Sequence, residues 1–159
     1  MIRTRNADFT KGEVSGAFLL GILDSFGRTP VLTPELIPFP VEDLSPDAWY
    51  PYEYLIDLTE NIEEHLPHSD SILFWAGIRF ANLWYWRGPG KDMISSGLDW
   101  VYCHDKGQGY NSVVRGENVG WARTRIIDET RGFALLEDVT PIPTAYLRGI
   151  FFGGFYLFN

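Results

Sequence analysis

Apolar residues in this chain recur mostly at helical spacing and turn to alternation only near the end, so helices are expected to precede strands. GEVSGAFLLGILDSFG predicts a first helix over residues 13–26, closed by Gly27. Gly16 and Gly21 weaken that helix, since each costs about 1 kcal/mol relative to alanine. The following connector, RTPVLTPELIPFPVEDLSP, holds five prolines between Pro30 and Pro46. Proline fixes φ and lacks an N–H, so this segment is expected to run extended over the surface or in a groove. Pro51 suits a first helical position, and YPYEYLIDLTENIEEHL follows it. There Tyr52, Leu55, Ile56, Thr59, Ile62 and Leu66 form one apolar face, while Glu53, Asp57, Glu60, Glu63 and Glu64 form a solvated one.

The span from Phe74 to Trp86 places six aromatic residues in thirteen positions, with Arg79 as its one charge. At 100° per residue, Leu73, Phe74, Gly77, Ile78, Phe80, Ala81, Trp84 and Tyr85 share a broad side of this helix. Trp75, Arg79, Asn82 and Trp86 share the narrow remainder. Gly77 and Ala81, one turn apart, allow another helix to come close. Such a span walls an apolar cavity or fills a solid core, and residue types alone leave both readings open.

RGPGKD breaks this helix, and KDMISSGLDWVYCHDKG predicts another that ends near Gly107. Residues 119–127 and 132–139 are short, β-branched and partly alternating, and they are joined by DETR, so an antiparallel hairpin is expected. TAYLRGIFFGGFYLF reads equally as helix or strand. The expected fold is therefore α+β: a helical N-terminal half of about four helices packed on a small antiparallel sheet. Residues 1–159 are expected to form a single domain.

Composition narrows the function. Hydrophobic residues make up 45 % of the chain and aromatics 16 %, which describes a folded interior rich in rings. The net charge of -8, from 13 bases scattered among 21 acids, argues against a nucleic-acid or anionic-membrane surface. The single cysteine, Cys103, cannot form an internal disulfide, and the N-terminus lacks a signal-peptide core. The longest apolar run spans 15 residues, short of the roughly 20 a membrane-crossing helix needs. A soluble, cytoplasmic protein is the expectation.

Catalytic motifs are missing: there is no GxSxG, Walker loop, HExxH or CxxC. Cys103 and His104 are adjacent, so on a helix they point about 100° apart, which disfavours a Cys–His pair or a zinc site. His65 and His68 flank Pro67 at a helix end. Arg115, Arg123, Arg125 and Arg131 fit cross-strand ion pairs with Asp128, Glu129, Glu137 and Asp138 on a solvent face.

The order of landmarks carries more than any single one. WYPYEYLIDL, AGIRFANLW, YNSVVRGENVGWARTRI and TPIPTAYLRGIFFGG follow one another across residues 12–155. This order resembles the superfamily of haem nitric-oxide/oxygen sensor domains and four-vinyl-reductase-type ligand-binding domains. The resemblance implies a small-molecule sensor pocket between helices and sheet, in a bacterial regulatory setting. Haem-binding members carry a Tyr-x-Ser-x-Arg set. Here Tyr110, Ser112 and Arg115 are spaced differently, so haem is not expected and the cofactor stays unassigned.

The leading expectation is a non-enzymatic sensor or regulatory domain that binds a small apolar or aromatic molecule. Its pocket would be lined by Trp75, Phe80, Trp84, Trp100 and Tyr146, with Arg79 or His104 as the polar anchor. The alternatives are a homodimeric interaction module using exposed tryptophans, and a small acid–base pocket enzyme.

Overall fold

The computed structural model describes residues 11–27, 32–66, 69–105 and 108–158. The fold is α+β, as expected. Helices also run beyond the first half of the chain, and the strands form two antiparallel sheets.

Residues at the start of the first expected helix are extended instead. Strand β1 (Gly12–Ser15) lies at the centre of a three-stranded sheet, between β2 (Trp49–Pro51) and β3 (Val114–Gly116). Val14 pairs with both Tyr50 and Val114, so backbone partners on both sides outweigh local helical preference. Helix α1 (Gly16–Ser25) then begins at Ser15, whose hydroxyl accepts the Phe18 N–H at 3.1 Å. Gly27 follows it at φ 68°, a left-handed turn that glycine adopts without a Cβ penalty.

The proline-rich connector, described from Leu32 onward, forms two single helical turns, Pro34–Leu36 and Val41–Asp43. Phe39 anchors it, buried and stacked on Tyr54 at 4.8 Å. Pro30 and residues 28–31 lie outside the described residues. Pro51 closes β2 rather than opening a helix, because the Tyr52 N–H is already donated to the Gly12 carbonyl at 3.0 Å. Helix α2 (Glu53–His65) buries Leu55, Leu58, Thr59 and Ile62, and Asp57, Glu63 and Glu64 face solvent. Leu58 joins the buried face in addition to the expected positions, while Ile56 is only half-buried.

The aromatic span forms helix α3 (Ser69–Arg87), and the ambiguous C-terminal segment is helix α7 (Thr144–Tyr156). Their contact is the most extensive between any two of the described elements. A Cβ on Gly77 would lie 2.1 Å from the Tyr146 carbonyl, and one on Gly149 would lie 2.0 Å from the Phe74 carbonyl. Gly153 meets Ile78 and Ala81 in the same way, at 2.9 and 3.1 Å. Backbone therefore touches backbone along this seam, closer than ordinary side chains permit.

The next expected helix is broken in two. Helix α4 (Gly90–Met93) and helix α5 (Gly97–Asp105) are separated at Ile94–Ser96, where the side chains cap α5 reciprocally. The Ser96 hydroxyl accepts the Asp99 N–H at 3.1 Å, and the Asp99 carboxylate accepts the Ser95 N–H at 2.9 Å. Gly107 lies outside the described residues.

A short helix α6 (Tyr110–Val113) leads to β3 and then to the expected hairpin of β4 (Trp121–Asp128) and β5 (Phe133–Val139). Asn111 holds β4 by its free edge. Its amide donates to the Ala122 carbonyl at 2.7 Å, and its oxygen accepts the Ala122 N–H at 3.0 Å. Nearby, the Tyr52 and Tyr110 hydroxyls lie 2.6 Å apart, and both reach the Val119 carbonyl, at 2.8 and 2.6 Å. Arg123 pairs with Glu137 at 2.6 Å across the hairpin, in keeping with a solvent-face ion pair.

The α3–α7 seam sets the first expected outcome. Gly149→Ala forces a methyl into the Phe74 carbonyl and lowers unfolding free energy by roughly 3 kcal/mol or more. Gly132→Ala meets nothing within 4 Å and loses only the cost of its φ of 65°, about 1–2 kcal/mol. Urea denaturation midpoints of the two variants measure the contrast.

Candidate functional site

The helices and the hairpin leave a cavity of about 100 Å³ between them. Helix α1 contributes Phe18, and α3 contributes Phe80 and Trp84. Helix α5 supplies Trp100, Cys103 and His104, while α7 supplies Leu147, Ile150 and Phe151. Ala122 of β4 forms the sheet-side wall, and Gln108, Gly109 and Ser112 lie toward solvent.

The walls are aromatic rings meeting edge to face. Phe18 and Phe80 pack at 5.6 Å and 88°, and Trp84 and Trp100 at 5.4 Å. The Trp100 and His104 rings are 4.4 Å apart and perpendicular, and Phe151 closes on His104 at 4.5 Å. The Trp100 indole lies on bare backbone, since a Cβ on Gly154 would come within 2.1 Å of it.

Of the residues expected at a pocket, Phe80, Trp84, Trp100 and His104 come together around this cavity. Tyr146 stands behind its wall, packed edge-on against Phe80 at 6.1 Å. The Ser25 hydroxyl donates to the Ile22 carbonyl at 2.6 Å, which leaves Tyr146 to donate to Ser25 at 2.7 Å. Burial pushes the Tyr146 hydroxyl well above its ordinary pKa.

Trp75 and Arg79 are not cavity residues. Trp75 is 66 % exposed, on the outer stripe of α3. Arg79 is exposed too, with its guanidinium beside Gly27. Trp86, the other tryptophan of that stripe, stacks under Lys91 at 4.2 Å.

Cys103 and His104 depart from their expected geometry. Although adjacent on one helix, they both line the cavity, which wraps around the end of α5. Burial raises the Cys103 thiol pKa, which disfavours the reactive thiolate. Gly109 lies against the other edge of the imidazole, where a Cβ would approach Nδ1 to 2.3 Å.

Among the described residues, Trp100 Nε1 and His104 Nε2 in the cavity wall, and Thr124 Oγ1 on β4, are buried without a hydrogen-bond partner. Desolvation without a countercharge lowers the His104 pKa to about 4, so the ring is neutral at pH 7. No Lys, Arg, Asp or Glu appears among the described lining residues.

Other candidate groups stay apart. His65 is exposed and bonds the Asn61 carbonyl through Nδ1 at 3.0 Å, while His68 lies outside the described residues. Arg115 sits between Glu13, at 2.7 Å, and the Trp49 ring, at 4.2 Å. Among the described residues no cluster of three or more His, Cys, Asp or Glu can hold a metal ion. None of their helices is long and apolar enough to cross a membrane.

Sequence reasoning did not assign Phe18, Tyr110, Ala122, Leu147, Ile150 and Phe151 to the site. They come from four elements; only Leu147, Ile150 and Phe151 share helical spacing, on α7, a segment that read equally as helix or strand, so no local pattern marks the set. Compared with known proteins, the chain matches no family model, no curated protein and no solved structure, so its function is argued from its own geometry.

The buried imidazole makes stability depend on pH. Unfolded, His104 takes up a proton near pH 6.5, whereas folded it does so only near 4. The unfolded state therefore binds the extra proton within that window, and stability falls as pH drops from 6.5 to 4, by about 3 kcal/mol at most. Melting temperatures over that range show the slope, and His104→Leu reduces it.

Proposed function

We propose that this chain is a non-enzymatic sensor or regulatory domain that binds a small apolar or aromatic molecule between its helices and its hairpin. The observation that carries the reading is the ring-walled cavity with a neutral, unpartnered imidazole nitrogen in its wall. A cavity of about 150 Å³ with apolar walls stays dry and accepts benzene. The 100 Å³ here suits a guest of that size or slightly smaller. Charged guests are disfavoured, because no described lining residue offers a countercharge.

An acid–base enzyme gains no support from the same atoms. Cys103 and Tyr110 are both shifted upward by burial, away from the range in which they give or take protons at neutral pH. The resemblance to sensor-type ligand-binding domains and the lone cysteine fit a cytoplasmic regulatory role.

Benzene serves as the test guest. Trp84 and Trp100 line the cavity, so saturable binding changes tryptophan emission and raises the melting temperature. Ala122→Leu fills the space from the sheet side and is expected to abolish that binding while keeping the fold. Absence of benzene binding to the wild type, or unchanged binding to Ala122→Leu, overturns the reading.

A further inference from the structure

The two edges of the β4–β5 hairpin are treated differently. Asn111 occupies the β4 edge as a substitute strand, through both polar groups of Ala122. Among the described residues no strand pairs with the other side of β5. Natural sheets protect such an edge with proline, lysine, a bulge or a covering element. FALLEDV has neither proline nor lysine, its two carboxylates are engaged by Arg123 (Glu137) and Thr140 (Asp138), and the hairpin's irregularity lies between Ile126 and Asp128 of β4.

The Asn111 clamp also fixes which backbone groups point outward. Since the Ala122 N–H and C=O face Asn111, its cross-strand partner Asp138 points its own groups away from β4. The antiparallel ladder alternates residue by residue, so Ala134, Leu136 and Asp138 all present N–H and C=O to the open edge.

Those groups are self-complementary. In an antiparallel pairing centred on Leu136, Ala134 meets Asp138 of a second copy, Leu136 meets itself, and every outward group is used. The alternating outer face then sets exposed Phe133 against exposed Val139, and Leu135 against Glu137. No carboxylate opposes a carboxylate in this register. A shift that centres the pairing on Glu137 places two glutamates face to face and leaves Ala134 unpaired.

We infer that β5 is a homodimerisation edge, joining two copies through a continuous four-stranded antiparallel sheet in the Leu136-centred register. This is a different surface from the tryptophan stripe of α3, whose Trp75 is the competing candidate.

Charge placed at Leu135 tests it by sedimentation velocity. Leu135 is 41 % exposed, so its replacement spares the core. Wild type is expected at twice the 18.2 kDa protomer mass. Leu135→Glu faces Arg125 within its own hairpin, which keeps the monomer folded, but opposes Glu137 of the second copy twice. Dimer affinity is expected to fall roughly tenfold or more. Leu135→Lys meets the same Glu137 with opposite charge and dimerises at least as tightly as wild type, and Trp75→Ser changes nothing. A monomeric wild type, equal weakening by both Leu135 variants, or dissociation by Trp75→Ser overturns the inference.

Discussion

Backbone contact between α3 and α7 is the constraint from which the rest of the architecture follows. Gly77 and Gly149 face each other across the seam, and Gly153 continues it against Ile78 and Ala81. With no side chains between them, the helices act as one rigid slab, and their large rings are displaced to its two faces. On one face Phe80, Trp84 and Phe151 turn toward α1 and α5, and on the other Phe74 and Phe152 meet at 5.6 Å. Gly154 extends the same logic to α5, because the Trp100 indole rests where a side chain would have stood.

A hollow follows from the stiffness of these rings. Aromatic side chains have few rotatable bonds and prefer offset-stacked or edge-to-face contacts at 4.5–7 Å, so they adjust little to a gap beside them. Aliphatic chains with several torsions collapse into such gaps more readily. The cavity is thus a result of composition as well as topology. Its buried nitrogen is unusual, because buried polar groups are nearly always paired.

Much of the fold was legible in local pattern. The faces of α2 and α3 follow from three- and four-residue spacing, and the hairpin follows from alternation around a turn. Gly77 and Ala81 also announced a close helix neighbour, although the neighbour itself, α7, read equally as a strand. What escaped notice depends on partners distant in the chain. Residues 12–15 are a strand only because residues 49–51 and 114–116 flank them. Pro51 ends that strand pairing for the same reason. The candidate site was half legible: Phe80, Trp84, Trp100 and His104 stand out by residue type. Trp75 and Arg79 belong to the same helix but to its outward stripe, and angular position on a helix does not reveal which stripe the rest of the chain covers.

The tyrosine pair near α6 illustrates redundancy of a kind the contacts alone conceal. Three oxygens, those of Tyr52, Tyr110 and Val119, lie within mutual hydrogen-bonding range, yet the two phenols bring only a pair of protons to share. Either hydroxyl by itself can satisfy the peptide oxygen. With one phenol lost, the other still donates to the Val119 carbonyl, whereas losing both removes both of these donors from a buried acceptor. The two positions are therefore coupled: the cost of replacing either tyrosine by phenylalanine depends on whether the other hydroxyl is still present.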